Sequence, residues 1–397
     1  MPSNQYPHLI FGMFTPKFRL ATSVRGVVPL ITFLILLSGI GLFAAPKFSV
    51  EETKIVSPQA EYFHGWPTIE HLANGNLMVV YSGGREDHVD PFGRIEAMIS
   101  RDEGKTWSWP RVLIDSATDD RDGGLLETNK GTLLVAFFTS IAYQKHLAAP
   151  ERRINKIFGD DAAAHIKRSQ MADARLLSEN QKDDVGYWMI RSTDGGMTWS
   201  RRLAMPCYSP HGPTQMADGR IFYAGADGKR NGAWVSDDDG VSWKLLSEIP
   251  GRPGEVHGLE AANGTLIFHL RDKVAPPGGG KPRWATTQIE SQDGGKTWSD
   301  PHEIVAGFPS HLLRLQNDAL LMTYGVRTKP FGIRAKLSRD HGKTWSEEMV
   351  LTDDAATADM GYPSTVQLDD GSLLTVWYEV PKDSMKAQLR QARWQLK

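Results

Sequence analysis

The eight-residue motif S-x-D-x-G-x-[ST]-W occurs five times in this chain, and this repetition constrains the fold more than any other feature of the sequence. Its copies lie at 100–107, 192–199, 236–243, 291–298 and 338–345. Serine and aspartate side chains can bond nearby backbone amides, glycine supplies the positive φ of a tight turn, and tryptophan anchors the turn by burying a large ring. We therefore interpret each copy as a structural turn between two strands, not as a catalytic motif.

A second pattern, an N/D-G-like turn followed by an apolar strand, occurs six times. Its copies are 73–82, 129–138, 217–226, 262–271, 316–325 and 369–378. Each unit reads as four strands, and four-stranded sheets repeated radially form a β-propeller. The sequence predicts an all-β fold, a six-bladed β-propeller of four-stranded blades over residues 49–397. We expect residues 54–59 to supply the outer strand of the last blade. Two separate β domains are the alternative, but no Pro/Ser-rich linker divides the chain.

The second repeat unit is longer than the others because it contains residues 143–184. This segment is rich in alanine and charged residues and is bounded by Pro150 and Gly159. Such a composition predicts helices inserted in blade 2. A lid, a subunit contact and a solvated helical decoration all fit this insertion.

Residues 1–48 differ in composition from the rest of the chain. Lys17, Arg19 and Arg25 precede the uncharged stretch 26–45, which ends in small residues. A basic region followed by an apolar run is typical of a secretory signal, and this run is also long enough for a membrane anchor. We expect a secreted, periplasmic or membrane-anchored protein whose propeller lies outside the cytoplasm.

The overall charge and the cysteine content exclude two classes of protein. The net charge is −2, from 45 basic and 47 acidic residues, so no nucleic-acid partner is expected. Cys207 is the single cysteine, which excludes an internal disulfide.

Polar and titratable residues recur just before the N/D-G turns, where the inner strands of a propeller begin around the central channel. They are His64, Asp122, His211, Glu255, His257, His311 and Tyr362. Several such groups converging on one axis indicate a binding or catalytic site. Because the histidines lack the short spacing of metal ligands, we expect neither a metal nor a cofactor.

Asp-box turns on a six-bladed propeller, with Tyr, Glu and Arg near the blade starts, resemble the sialidase (neuraminidase) superfamily. The resemblance covers about residues 50–397. It implies that Tyr362 in "GYPSTVQL" is the nucleophile and that Glu255 in "GEVHGLE" accepts its proton. It also implies that Arg271 and Arg327 bind the substrate carboxylate, with Arg334 as a second choice for the latter.

The resemblance places the acid/base aspartate in a loop of the first blade, where "GGREDHVDPFGR" offers Asp87 and Asp90 beside Arg85. One family element is missing. The first blade of the family opens with Arg-Ile-Pro, whereas this chain has "HGWP" at 64–67, so Gly65 occupies the position of the arginine. Either His64 or another cation compensates, or the ligand is not an ordinary sialic acid. His211, His257 and His311 complete the expected substrate-binding set.

The resemblance thus implies an exported, retaining glycoside hydrolase that removes a terminal acidic sugar from a glycan. Because several histidines are expected near the channel, an altered-specificity glycosidase or a polysaccharide lyase on the same fold is an alternative. A non-catalytic carbohydrate-binding propeller is the other alternative. The sequence does not fix the sugar, the linkage or the oligomeric state.

Overall fold

The computed structural model describes residues 46–175, 184–252, 254–276 and 278–397. The predicted signal or anchor segment lies outside these residues, apart from its last three positions. The first strand, β1 (Phe48–Ile55), precedes five sheets that each use four consecutive strands of the chain.

The strands are numbered in chain order. Blade 1 contains β2 (Phe63–His71), β3 (Leu77–Arg85), β4 (Arg94–Ser100) and β5 (Arg111–Ile114). Blade 2 contains β6 (Asp119–Glu127), β7 (Leu133–Ser140), β8 (Gly186–Ser192) and β9 (Leu203–Ala204). Blade 3 contains β10 (Thr214–Gln215), β11 (Ile221–Ala226), β12 (Asn231–Ser236) and β13 (Lys244–Ile249).

Blade 4 contains β14 (Val256–Glu260), β15 (Leu266–Val274), β16 (Arg283–Ser291) and β17 (His302–Val305). Blade 5 contains β18 (Ser310–Arg314), β19 (Leu320–Val326), β20 (Gly332–Ser338) and β21 (Met349–Val350). Blade 6 contains β22 (Met360–Gln367), β23 (Leu373–Glu379) and β24 (Gln388–Leu396), with β1 as its fourth strand.

These six antiparallel, four-stranded sheets confirm the predicted six-bladed propeller. The hydrophobic core lies between the blades. Each core cluster joins two neighbouring blades, as Val79 of blade 1 and Val376 of blade 6 do in one of them. The first strand of each blade lies innermost, and these strands line the central channel. The channel therefore collects residues that are far apart in sequence.

The ring closes through β1, which pairs antiparallel with β24 from Phe48↔Leu396 to Ile55↔Arg390. The prediction that residues 54–59 form the closing strand was therefore correct in its blade but wrong in its bounds. The chain leaves the ladder after Val56, because Ser57 bonds through its side chain to the backbone of Leu389 and Pro58 has no N–H to donate.

The five box turns connect the third and fourth strands of blades 1 to 5, as predicted. In the first box, Thr106 donates from its N–H and its hydroxyl to Asp102, and Gly104 N–H donates to Ser100 Oγ. The tryptophan points to the preceding blade, where Trp107 Nε1 donates to Gln391 Oε1 at 2.8 Å. The boxes of blades 4 and 5 repeat this link. The turns thus fix neighbouring blades together at the rim.

The predicted insertion in blade 2 is helical and lies between β7 and β8. Its helices are α1 (Gln144–Ala148), α2 (Ile154–Phe158) and α3 (Ala162–Asp173). Among the residues that the structure describes, no helix combines the length and the apolar character needed to cross a bilayer.

Candidate active site

Backbone bulges turn selected side chains of the inner strands toward the channel. The pairing register slips in β2 at Trp66, in β6 at Asp122 and in β22 at Tyr362. These residues have φ of 54°, 55° and 53°, and His211 before β10 has φ of 68°. Non-glycine residues rarely adopt this region, and such outliers cluster at functional sites. A bulge also re-aims a side chain, so these positions are candidates for function.

Three of these positions and Glu255 have a fixed place in the repeat. Trp66, Asp122, Glu255 and Tyr362 each stand nine residues before the left-handed glycine of the following N/D-G turn, at Gly75, Gly131, Gly264 and Gly371. The repeat therefore marks the channel-facing residue of a blade. This spacing is a signal in the sequence that identifies Asp122 together with Tyr362 and Glu255.

A pocket of about 770 Å³ occupies one end of the channel. Its volume lies within the range of small-molecule sites. The polar and aromatic residues that line it are Trp66, His88, Arg121, Asp122, Phe138, Thr139, Ser140, Tyr187, Tyr208, Glu255, Arg271, Arg327, Tyr362 and Tyr378. Tyr362, Glu255, Arg271 and Arg327 were expected at the site from the sequence, and the structure brings these four together.

Tyr362 and Glu255 form the centre of this pocket. The Tyr362 hydroxyl donates to Glu255 Oε1 at 2.5 Å, and Arg271 Nη1 donates to the same oxygen at 2.8 Å. Arg271 Nη1 also lies 3.5 Å from the Tyr362 hydroxyl oxygen. Burial, followed by the charges of Glu255 and Asp122, raises the pKa of Tyr362 well above its ordinary value. The phenol is therefore protonated at rest and has a carboxylate beside it that can accept its proton.

A second chain of contacts leads from Arg327 to His88. Arg327 Nη2 lies 3.5 Å from the Tyr378 hydroxyl, and that hydroxyl donates to Asp359 Oδ1 at 2.9 Å. His88 Nδ1 lies 3.2 Å from the other oxygen of Asp359, and its ring packs edge-on against Trp66 at 4.7 Å. Burial lowers the pKa of His88. His88 is thus an imidazole oriented by a carboxylate at the pocket wall.

Arg121 and Asp122 enter the pocket from blade 2. The sequence predicted that Asp122 faces the channel but gave it no role, and it did not indicate Arg121. The Arg121 guanidinium lies over the Trp66 ring at 4.7 Å. Burial alone would lower the pKa of Arg121, but the carboxylates of Asp119 and Asp122 outweigh it and raise that pKa. Burial raises the pKa of Asp122 to about 6, against the opposing effect of Arg121. Asp122 is thus a carboxyl group of the pocket whose pKa burial raises toward neutrality.

Asp87 and Asp90, the expected acid/base candidates, do not belong to the pocket lining. Arg153, in the helical insertion, binds both Asp87 oxygens at 2.7 Å. Asp90 is completely buried and accepts backbone N–H groups from Glu86 and Phe92 within its own loop. In this loop the residue that reaches the pocket is His88.

Arg85 is completely buried and forms an ion pair with Asp119 beneath the pocket wall. Arg334, the second choice for the blade 5 cation, bonds backbone carbonyls including that of Thr352. Neither guanidinium lines the pocket. Trp66 lines the pocket. Trp377 does not, because it is completely buried in the core between blades 5 and 6.

Three of the four expected substrate-binding histidines form a cluster in the channel, below the pocket. The His211, His257 and His311 rings lie 4.5 to 5.4 Å apart, centroid to centroid. His257 Nδ1 accepts the N–H of Leu312 at 3.0 Å, and His311 Nδ1 accepts that of Thr365 at 3.4 Å. These bonds connect the inner strands of consecutive blades. Burial lowers the pKa of all three histidines well below the ordinary value.

His64 is also buried, against Tyr81 of the neighbouring strand, and it does not line the pocket. Burial lowers its pKa to about 4, so His64 is uncharged near neutrality and does not replace an arginine. A Cβ at Gly65 would lie 3.2 Å from Phe63 Cε1 and 3.8 Å from Tyr378 Cγ. Aromatic rings therefore occupy the space that a side chain at position 65 would need. Within the described ranges, no group of three or more His, Cys, Asp or Glu side chains is arranged to hold a metal ion.

Comparison with known proteins identifies the family. Residues 176–375 match the BNR repeat-like domain, which is half of the chain. A sialidase of Bacteroides fragilis is 25% identical over 258 residues, which are 59% of this chain and 44% of that protein. The chain thus spans less than half the length of this relative.

Two solved structures share the fold. A Dyadobacter fermentans protein of unknown function superposes with a TM-score of 0.70 at 24% identity, over 89% of this chain and all of that one. A sialidase of Streptococcus pneumoniae superposes with a TM-score of 0.59 at 14% identity, over 88% and 70% of the two chains. Taken with the five boxes and the six blades, these matches show that the chain belongs to the BNR repeat-like family of the sialidase superfamily.

Proposed function

We propose that this protein is a retaining glycoside hydrolase that removes a terminal acidic sugar from a glycan. The observation that carries the proposal is the bond from the Tyr362 hydroxyl to Glu255 Oε1 within the pocket. Tyr362 Oη attacks the anomeric carbon while Glu255 takes the phenolic proton. The bond from this carbon to the leaving oxygen breaks, and a covalent glycosyl–tyrosine forms. Water then attacks this carbon from the opposite side, the bond to Tyr362 Oη breaks, Glu255 returns the proton to the phenolate, and the sugar is released with retained configuration.

A tyrosine suits a substrate that carries a carboxylate at the reacting carbon. Such a substrate would repel an attacking carboxylate, whereas a phenol is uncharged until it transfers its proton to Glu255. Arg271 and Arg327 both lie near the ring of Phe308, with their guanidinium carbons 4.8 and 5.2 Å from its centre. These cations are suited to hold the carboxylate of the substrate.

The leaving oxygen needs a proton, and Asp122 is the group that we assign to this step. It lines the pocket, whereas Asp87 and Asp90 do not. A general acid is most efficient when its pKa lies near the working pH, and the pKa of Asp122 is raised to about 6 by burial. After the first step, the resulting carboxylate takes a proton from the attacking water and is thereby restored.

The experiment is to compare Tyr362→Phe with Tyr187→Phe, which removes another hydroxyl from the lining of the same pocket. Release of sugar from sialylated glycans and from glycans with terminal uronic acid is measured for both variants. We expect Tyr362→Phe to lose at least about 10³-fold in turnover and Tyr187→Phe to remain active. Full turnover by Tyr362→Phe would contradict the mechanism. Glycan binding without turnover by the unmodified protein would instead indicate a binding propeller.

The His88–Asp359 contact favours one second candidate, a polysaccharide lyase acting on a uronic acid. In that reaction a base removes the proton next to the carboxylate and arginines neutralise the carboxylate. The glycosidic oxygen then takes a proton from the Tyr362 hydroxyl and leaves as a double bond forms. His88 is suited to be the base, because Asp359 binds its Nδ1 side. An unsaturated product that absorbs in the ultraviolet, lost in His88→Gln, would establish the lyase and overturn the hydrolase.

We also infer export of the propeller, from the basic residues and the uncharged run of residues 26–45. Cell fractionation tests this inference, and recovery of the protein from the cytoplasm alone would reject it. The N-terminal sequence of the exported protein distinguishes a cleaved signal from an anchor.

A further inference from the structure

Arg121 is a guanidinium whose hydrogen-bonding capacity the protein does not use. Its side chain is only 12% exposed, yet no hydrogen bond joins it to any residue in the described ranges. Its ion pair with Asp119 spans 4.0 Å, beyond hydrogen-bond distance. Buried polar groups are nearly always paired, and a guanidinium has five N–H donors. A buried guanidinium with unpaired N–H donors at the wall of a pocket is suited to bind an anionic ligand.

The position of Arg121 separates it from the other two arginines of the pocket. Its guanidinium carbon lies over Trp66 of blade 1 at 4.7 Å and near Phe138 of blade 2 at 5.5 Å. Arg271 and Arg327 belong to blades 4 and 5. In a ring of six blades, blade 1 faces blade 4 and blade 2 faces blade 5. Cations therefore stand on opposite walls of the pocket.

Tyr362 lies between these walls. Its ring centre is 6.5 Å from that of Trp66 on one side and 5.7 Å from the guanidinium carbon of Arg327 on the other. A saccharide with its anomeric carbon at Tyr362 and its carboxylate at Arg271 and Arg327 therefore extends toward Arg121. On this placement, the unit joined through the leaving oxygen is the one nearest to Arg121, because Asp122, which follows Arg121 in the chain and lines the same pocket, is the group assigned to protonate that oxygen.

We propose that Arg121 binds a second acidic group of the substrate, so that the pocket selects saccharides with acidic groups on two neighbouring units. The proposal rests on the proposed function and names the substrate class of the same pocket. Below a pH of about 6, where Asp122 is protonated, the carboxyl group beside Arg121 does not repel this second anion.

The test measures binding by calorimetry in the Tyr362→Phe background, so that no ligand is consumed. The probes are galacturonic acid against digalacturonic acid, and sialic acid against its α2,8-linked dimer. Each pair compares one carboxylate with two. We expect the Tyr362→Phe protein, which keeps Arg121, to bind at least one dimer more tightly than its monomer. Adding Arg121→Met should weaken binding of that dimer about 10- to 100-fold and leave the monomer unchanged.

Two further variants serve as controls. Arg121→Lys keeps the charge and should retain part of the affinity for the dimer. Arg220→Met removes a guanidinium stacked on Phe222 outside the pocket, and it should change neither affinity. Each variant is first shown to be folded by its thermal unfolding.

Two results overturn the proposal. The first is that Arg121→Met weakens monomer and dimer equally, which would place Arg121 on the same carboxylate as Arg271 and Arg327. The second is that the Tyr362→Phe protein with Arg121 in place binds neither dimer more tightly than its monomer. Absence of any binding counts as this second result. Neither result concerns turnover, which the Tyr362→Phe assay on natural glycans tests separately.

Discussion

Asp102 at the rim and Asp122 in the pocket wall place the same side chain in two contrasting environments. Asp102 is bound by the hydroxyls of Ser100 and Thr106 and by the N–H of Thr106. The hydrogen bonds from Thr106 lower the pKa of Asp102 to about 2. Asp122 Oδ1 is buried without a partner among the described residues, and burial raises the pKa of Asp122 to about 6. The structural carboxylate of Asp102 has its hydrogen bonds filled by residues of its own turn, whereas Asp122 in the pocket has an oxygen that no described residue binds and that is free to bind a ligand.

The largest difference between the two aspartates is expected in turnover. Asp122→Asn keeps the shape of the side chain but removes its ionisable proton, so the side chain can no longer act as a general acid and kcat/KM should fall about 10²- to 10⁴-fold. Asp102→Asn is the matched control and should leave kcat/KM of the folded protein unchanged. Steady-state assays on the same glycan measure both variants. Comparable losses in the two variants would show that the difference in environment does not reflect a difference in role.

The pH dependence of turnover separates the aspartates further. The proposed mechanism requires protonated Asp122, so kcat/KM should decline as the pH rises through about 6, by about tenfold per pH unit. A pH–rate profile measures this decline in kcat/KM. The decline should disappear in Asp122→Asn and persist in Asp102→Asn. If kcat/KM of Asp122→Asn still declined as the pH rose through about 6, the decline would belong to another titrating group.

Substitution of a box glycine should affect stability and not turnover. Gly342 has φ of 82°, and an added Cβ would lie 2.5 Å from Ile267 Cδ1 of the preceding blade. Gly342→Ala should therefore lower the free energy of unfolding by about 2–4 kcal/mol, from strain and from the clash. Gly371→Ala is the control, because Gly371 has the same φ but open space around its Cβ position, so only the strain of about 1–2 kcal/mol applies. Urea unfolding compares them, and equal losses would mean that the contact between blades contributes nothing.

The smallest effect is an opposite pH dependence of stability. The folded-state pKa of Asp102 is lowered, so its stabilising contribution is present above about pH 4 and lost as the pH falls to about 2. The folded-state pKa of Asp122 is raised, so its contribution is lost as the pH rises from about 4 to about 6. Asp122→Asn should consequently raise Tm at pH 7 and not at pH 4, whereas Asp102→Asn should lower it at both. Thermal melts at the two pH values decide this, and a lower Tm of Asp122→Asn at pH 7 would contradict it.

The blade count and part of the pocket follow from the sequence because both depend on the repeat. Each box and each N/D-G turn is a local structure, and their alternation sets the number of strands. The inner strand starts at a fixed distance before each turn, so Tyr362 and Glu255 converge although they are far apart along the chain. No tertiary information is needed for either step.

The remaining features of the pocket depend on contacts between distant segments. Arg153 reaches Asp87 from the helical insertion, and the motif around Asp87 contains no sign of that partner. The pairing of Arg85 with Asp119 likewise joins two blades. The bulge that directs Asp122 into the pocket is a property of strand pairing, although the nine-residue spacing to Gly131 records it indirectly. The sequence shows where an inner strand begins but not how deep along the channel a side chain lies, so it could not show that His211, His257 and His311 lie below this pocket.

The pairing of β1 with β24 determines when the ring of blades can close during folding. Phe48 pairs with Leu396, and Lys397 N–H donates to the Lys47 carbonyl at 2.7 Å, so almost the whole described chain separates the two strands. Pairing of segments so distant in sequence forms slowly. Until β24 is available to pair with it, β1 must wait as an unpaired edge. Its acidic and basic side chains between Glu51 and Lys54 are the kind that discourage association with other nascent chains in that interval.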